Sequence, residues 1–333
     1  METLVVKSSD KKGIKKASGL IKKGEVVAFP TETVYGLGAD ALNRKAVLKI
    51  FKAKKRPADN PLIVHIANEK QLGLLVEYIP ESAYKLIKKF WPGPLTIILK
   101  KKKKVPSVTT GGLNTVAVRM PSNETALELI KKSNPLAAPS ANLSGKASPT
   151  TAKHVYEDMK GRIPLIIDGG KTKIGIESTV VDLSSKKPVL LRPGKITAEQ
   201  LIKILGSLEI PASVYGKKVS KAMAPGMKYR HYSPDAKVIL VYGKKSKAKI
   251  RTLVKNYKKE KLKTAVIGFE YYSADYNCIC VTEKDMTKKL FSKFRDFDLK
   301  KTDIIIVEGV DEIGLGLGLM NRLKKASTEI IKT

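Results

Sequence analysis

Apolar and polar positions change period repeatedly along this chain, and each change predicts an element. Met1 to Asp10 reads as an opening strand, and residues 11–23 set apolar positions on one face of a lysine-rich run, an amphipathic helix ended near Gly24. A short apolar strand, Val26 to Phe29, runs into the hydroxyl-rich stretch Pro30–Gly38. Arg44 to Lys54 is helical, and Leu62 to Ile66 reads as a buried strand, so helix and strand bracket a basic turn. Glu81 to Phe90 is a helix stopped by Trp91-Pro92-Gly93-Pro94, Leu95–Leu99 a strand, Thr115–Met120 an alternating strand, and Ala126–Lys132 a helix. Three further strands follow at 165–170, 178–183 and 189–194. The first 205 residues therefore read as one α/β domain with a twisted mixed sheet flanked by helices.

Composition shifts after that. Residues 206–234 contain no clear element, and their end, Ala224 to Pro234, packs tyrosines, a histidine and cations between prolines, more than a spacer requires. From 235 to 333 the order is strand (238–241), helix (249–259), strand (265–269), short strand (278–281), helix (287–294) and strand (304–307), which predicts a smaller parallel, Rossmann-like α/β domain. Its last feature, Gly314-Leu315-Gly316-Leu317-Gly318, reads as a glycine-rich turn into a helix; the spacing falls one residue short of the dinucleotide fingerprint, so no nicotinamide site is expected.

Charge changes the picture of partners. Lys plus Arg number 64 against 31 acidic residues, a formal charge of +33, which favours a polyanion such as RNA. Only nine of the 64 are Arg, however, and a lysine-dominated excess also fits solvated surfaces. With no apolar signal core and no run of about 18 apolar residues, the chain is expected to be cytoplasmic, with no membrane partner. Cys278 and Cys280 lie two apart on one face of a strand; two ligands cannot complete a zinc site, so they read as reduced core residues.

The chemistry is concentrated in loops. His65, His154 and His231 are the only histidines, and none stands beside a promising nucleophile in sequence. HExxH, CxxC pairs and the GxxxxGK[ST] phosphate loop are all absent. What remains is Thr33, Lys54, Arg56, Asn60, Thr115, Arg119, Ser140, Asn142, Ser178 and Arg192, all at strand ends or in Pro/Gly-stiffened loops. Cations, hydroxyls and amides without a nucleophile–base pair suit a site that grips phosphates and carboxylates and leaves bond making to the substrates.

In order along the chain, PTETVYGLG (30–38), KKRPADNPL (54–62), VAVRMP (116–121), APSANLSG (138–145), IESTVVD (176–182) and LRPG (191–194) resemble the YrdC-like family, the threonylcarbamoyl-AMP synthases. APGMKYRHYSP (224–234) and GLGLGLMNRLKKAS (314–327) resemble the linker and the extra carboxyl-terminal domain of the two-domain form. Ala138 stands where many relatives have Ser. The resemblance implies domains at 1–205 (catalytic), 206–234 (linker and lid) and 235–333, and a reaction of ATP, L-threonine and bicarbonate or CO2 giving threonylcarbamoyl-AMP and pyrophosphate. A tRNA threonylcarbamoyl transferase would then receive the product.

It also implies roles. Lys54 and Arg56 would act on the reacting groups; Arg56, Asn60, Thr115, Ser140, Asn142 and Arg192 would hold ATP, with His231 and Tyr232 folding over it; Thr33, His65, Arg119 and Ser178 would form the threonine pocket. Mg2+ would arrive with the triphosphate. Two alternatives stand beside this reading: a non-catalytic RNA-binding protein, and a carbamoyltransferase using carbamoyl phosphate. Relatives of the second kind carry an acylphosphatase segment and zinc-finger cysteines, and this chain has neither.

Overall fold

The structure, a computed structural model, describes residues 2–217 and 232–333. The chain divides into two compact units, Met1–Ser144 with Ser148–Lys228, and Gly145–Ala147 with Tyr229–Thr333. Among the described residues no helix is long and apolar enough to cross a membrane.

In the first unit the elements run β1 (Leu4–Lys7), α1 (Lys11–Lys22), β2 (Val27–Phe29), β3 (Gly36–Asp40), α2 (Arg44–Lys54), β4 (Ile63–His65), α3 (Glu69–Leu75), α4 (Glu81–Phe90), β5 (Leu95–Lys100), β6 (Thr115–Arg119), α5 (Glu124–Lys132), β7 (Leu136–Ala137), α6 (Ala152–Met159), β8 (Leu165–Asp168), β9 (Thr179–Asp182), β10 (Val189–Arg192) and α7 (Ala198–Leu205). The strands form one sheet in the order β1-β8-β2-β3-β7-β4-β6-β5-β9-β10. Its pairing is mixed, as expected: β4 and β6 are parallel, β5 and β6 antiparallel, β5 and β9 parallel, β9 and β10 antiparallel.

Helices form where caps and amphipathic spacing agree. Asp10, Asn43, Asn68, Asn123, Thr151 and Thr197 each accept a backbone N–H in the first turn of the helix that follows, satisfying donors that would otherwise be orphaned. Side chains of α1 and α5 pack with β2 and β8 in one core that includes Ile14, Ile21, Phe29, Leu129, Ile130 and Leu165, all fully buried.

The second unit holds β11 (Lys237–Tyr242), α8 (Ser246–Lys259), β12 (Thr264–Gly268), β13 (Tyr276–Ile279), α9 (Glu283–Leu299), β14 (Ile304–Glu308), α10 (Gly314–Ala326) and β15 (Glu329–Lys332). Its sheet, β13-β12-β14-β11-β15, is parallel at every pairing, the arrangement read from the strand–helix alternation. Cys278 and Cys280 are free and buried, their sulfurs 3.9 Å apart at the β13 edge.

Three expectations are corrected. The glycines at 314–318 lie inside α10 and are not a turn before it; a Cβ at 316 would come 2.1 Å from the Asp311 carbonyl oxygen, so glycine there permits a close approach of helix and loop. The strand expected at 278–281 is displaced to Tyr276–Ile279, where Ala265 to Gly268 supply its hydrogen-bonding register. The helix expected at 287–294 extends over Glu283–Leu299, because Thr282 caps it four residues earlier.

Candidate functional site

Strand direction sorts the predicted residues into two sets at opposite ends of the first unit's sheet. The parallel pair β4 and β6 begins at one end with Ile63 beside Ala117 and finishes at the other with His65 beside Arg119. Thr115 opens β6, roughly 13 Å along the strand from Arg119 at about 3.3 Å per residue.

At the starting end, the turn between α2 and β4 carries Arg56 and Asn60. Arg56 Nη2 donates to the carbonyls of Asn60 and Pro61, at 3.2 Å each, so the guanidinium braces its own turn. The Asn60 amide is buried, and neither its nitrogen nor its oxygen has a hydrogen-bond partner among the described residues. A loop packs closely on this turn: a Cβ on Gly111, whose φ is +59°, would lie 2.9 Å from the Asp59 carbonyl oxygen. The loop after β7 joins from the other side, with Ala138 N donating to Ile63 O. In it Ser140 Oγ donates to Asn142 Oδ1 at 2.5 Å, and Ser140 bridges to Gly36 at the start of β3. Lys54, 2 % exposed at the end of α2, places its ammonium on the Ser140 and Asn142 carbonyls at 2.6 and 2.5 Å. Lys54, Arg56, Asn60, Thr115, Ser140 and Asn142 therefore share one end of the sheet.

The other end gathers His65, Arg119, Ser178 and Arg192, and the Arg119 guanidinium reaches Thr33 in the loop between β2 and β3. Arg119 Nε donates to Gly93 O at 3.2 Å and Nη1 to Thr33 Oγ1 at 2.9 Å. Glu32 Oε1 lies 2.6 Å from Arg119 Nη2, an ion-pair distance, yet the approach is off the N–H direction and makes no hydrogen bond. Because β5 runs antiparallel to β6, Thr96 lies beside the end of β6; its hydroxyl meets Ser178 Oγ at 2.7 Å. Arg192 donates from Nε to Ser178 O and from Nη2 to Ser178 Oγ, at 3.0 and 3.1 Å. Arg192, expected with the nucleotide set, thus touches the set expected for threonine.

His65 is buried, its ring edge-on to Phe29 at 6.1 Å and its Nδ1 without a hydrogen-bond partner among the described residues. Burial, reinforced by the Arg119 charge, drives its pKa down to about 3, so the ring is neutral in ordinary buffers.

Two expected nucleotide contacts fall after Gly206. His231 lies outside the described residues. Tyr232, expected to fold over the nucleotide, is 5 % exposed, with its ring stacked on Phe291 at 5.3 Å and the Arg322 guanidinium 5.8 Å from its centroid. Glu32, Thr31 and Thr96 were missed by the sequence reading. A signal for Glu32 existed: a lone acid between two threonines at a strand exit.

Fold and site together define an α/β enzyme of the binding-and-aligning kind, with cations, amides and hydroxyls at both ends of a single sheet. The family described as "Telomere recombination" matches residues 19–194, and "Threonylcarbamoyl-AMP synthase, C-terminal domain" matches 196–328. The threonylcarbamoyl-AMP synthase of Pyrococcus abyssi is 55 % identical over 318 residues, covering 94 % of each chain, and that of Bacillus subtilis is 48 % identical over 323 residues, covering 94 % of this chain and 92 % of its own. The crystal structure of P. abyssi Sua5 complexed with L-threonine superimposes with a TM-score of 0.96 at 53 % identity over all of both chains. This chain belongs to the threonylcarbamoyl-AMP synthase family, in its two-domain form.

Proposed function

We propose that the chain condenses L-threonine, bicarbonate or carbon dioxide and ATP into threonylcarbamoyl-AMP, releasing pyrophosphate. The observation that carries this reading is the near-complete likeness to a relative crystallised with L-threonine, combined with two complementary polar sets bordering one sheet. The loop from Pro30 to Gly36 links them, since Thr33 is bonded to Arg119 at one end and Gly36 is bridged to Ser140 at the other.

Once threonine is N-carboxylated, the carbamate already carries an anionic oxygen that can attack the α-phosphate. That step needs no strong base from the protein; it needs neutralisation and alignment. Arg119, with its planar fork, takes the threonine carboxylate, and Thr33, His65 and Ser178 line the same pocket. Neutral His65 accepts or donates a hydrogen bond without adding charge there. Arg56, Asn60, Thr115, Ser140 and Asn142 hold the nucleotide. Lys54, seated on the Ser140–Asn142 carbonyls, fixes that loop and supplies positive charge beside the transferring group. Arg192, in contact with Ser178, would lend its charge to the α-phosphate as the carboxylated amine approaches.

Among the described residues no group of three or more His, Cys, Asp or Glu side chains could hold a metal ion. The donors at the nucleotide end are cationic or neutral, so they fit Mg2+ as a companion of the triphosphate, bound by phosphate oxygens and water. The product would pass to a tRNA threonylcarbamoyl transferase that modifies the adenosine next to the anticodon. Cytoplasmic placement and an encounter of this +33 chain with RNA belong to the same proposal.

Threonine-dependent pyrophosphate release by Arg56→Ala tests the nucleotide assignment. The expected loss is about 100-fold in kcat/KM, or about 2.7 kcal/mol; a rate within about threefold of the parent protein refutes the assignment.

A further inference from the structure

Glu32 is a buried carboxylate whose surroundings do not explain it. It is 5 % exposed, and its backbone is pinned on both sides. Thr31 Oγ1 accepts from the N–H groups of Thr33 and Val34 and donates to Val34 O, while Ile174 N donates to Glu32 O and Gly175 N to Thr33 O. The side chain is thus held against Arg119 by design of the loop. Even so, among the described residues neither carboxylate oxygen makes a hydrogen bond, and neither does Arg119 Nη2, 2.6 Å away. A buried ion pair offsets its desolvation only when its remaining lone pairs and protons are also bonded. Here that capacity is unspent on both partners.

The other groups around Arg119 are already committed or neutral. Arg119 spends Nε and Nη1 on Gly93 and Thr33, and the neighbouring acid Glu177 accepts from Ser148 Oγ. His65 brings no charge. A bound amino acid presents a carboxylate and, two bonds away, an ammonium. The guanidinium edge at Nη2 suits the first, and the second requires an anion alongside.

We propose that Glu32 is a positioning residue that receives the α-ammonium of threonine while Arg119 Nη2 takes the α-carboxylate, the zwitterion inserting across the existing ion pair. The inference deepens the threonine reading of Arg119 and rests on it. Glu32 would make the pocket selective for α-amino acids over acids of the same skeleton without nitrogen. It would also hold in place the nitrogen that is to be carboxylated.

Calorimetric titration of the full-length protein with L-threonine and with 3-hydroxybutyrate, the same skeleton lacking the ammonium, tests this. In the parent protein threonine should bind at least about 30-fold more tightly than 3-hydroxybutyrate. Glu32→Gln should weaken threonine by about 30-fold and leave 3-hydroxybutyrate within about threefold, and Glu32→Asp should restore part of the loss. A carboxylate that only balances Arg119 would shift both ligands alike, and that result overturns the proposal, as does unchanged threonine affinity. Should Glu32→Gln not fold, the parent protein still decides: equal affinity for the two ligands overturns the proposal. Arg119→Lys separates the underlying reading, because threonine binding as tight as in the parent would refute Arg119 itself, whatever Glu32 does.

Discussion

Two buried glutamates, one in each unit, show how differently the two halves of the molecule use charge. Glu308, at the end of β14, accepts from Phe269 N at 2.9 Å and from the Tyr272 hydroxyl at 2.6 Å. Burial, reinforced by that carboxylate, pushes the Tyr272 phenol well above its ordinary pKa, so the phenol stays a donor. Glu32 has a guanidinium within 2.6 Å and no aligned donor. The first carboxylate is a finished structural joint; the second keeps bonding capacity in reserve. Within the first unit, Asn60 and His65 share that unmet hydrogen-bonding capacity.

The strongest way to break this contrast is Arg119→Ala, which leaves Glu32 buried without compensation. A loss of about 3–5 kcal/mol in unfolding free energy is expected, together with loss of threonine binding. Denaturant titration showing parent-like stability would mean that Glu32 is solvated after all. Glu308→Gln should cost less, about 1 kcal/mol, because the amide still accepts from Tyr272 and Phe269 but loses the charge. Pyrophosphate release should remain within about twofold of the parent, and a large kinetic loss would erase the distinction between the units.

A third effect concerns pH. His65 titrates near the ordinary value, about 6.5, when unfolded and at about 3 when folded, so between those values the unfolded chain binds more protons. Its contribution to stability is fully present above about 6.5 and is lost as pH falls towards 3. His65→Gln should flatten the stability profile in that window by at most about 1.4 kcal/mol per pH unit. An unaltered slope would show that His65 is not the buried neutral group described here.

Much of this organisation was legible in the chain. The second unit's parallel sheet follows from strand–helix alternation, and the mixed α/β sheet of the first from its run of strands and helices. What stayed hidden were elements whose residues lack the usual signature. Gly36–Asp40 forms β3 although it is glycine-rich, because pairing with β2 and the bridge to Ser140 impose the extended form. α3, α6 and α7 are only seven or eight residues long, too short for their apolar spacing to repeat, although Asn68, Thr151 and Thr197 cap them. At the site, loop composition disclosed which residue types gather, and the ordered motifs disclosed the family. The partition of those residues between the two ends of the sheet needs strand direction, which single residues do not encode. The Glu32–Arg119 contact joins positions 87 apart in sequence, beyond any local pattern.

The pair of cysteines offers a practical handle. Both thiols belong to the second unit, one on edge strand β13 and the other just past it, and both are shielded in the native fold. A maleimide or disulfide reagent therefore reacts only when that edge opens, so its labelling rate under native conditions becomes a clock for local unfolding of one half of the molecule, read without engineering a new cysteine.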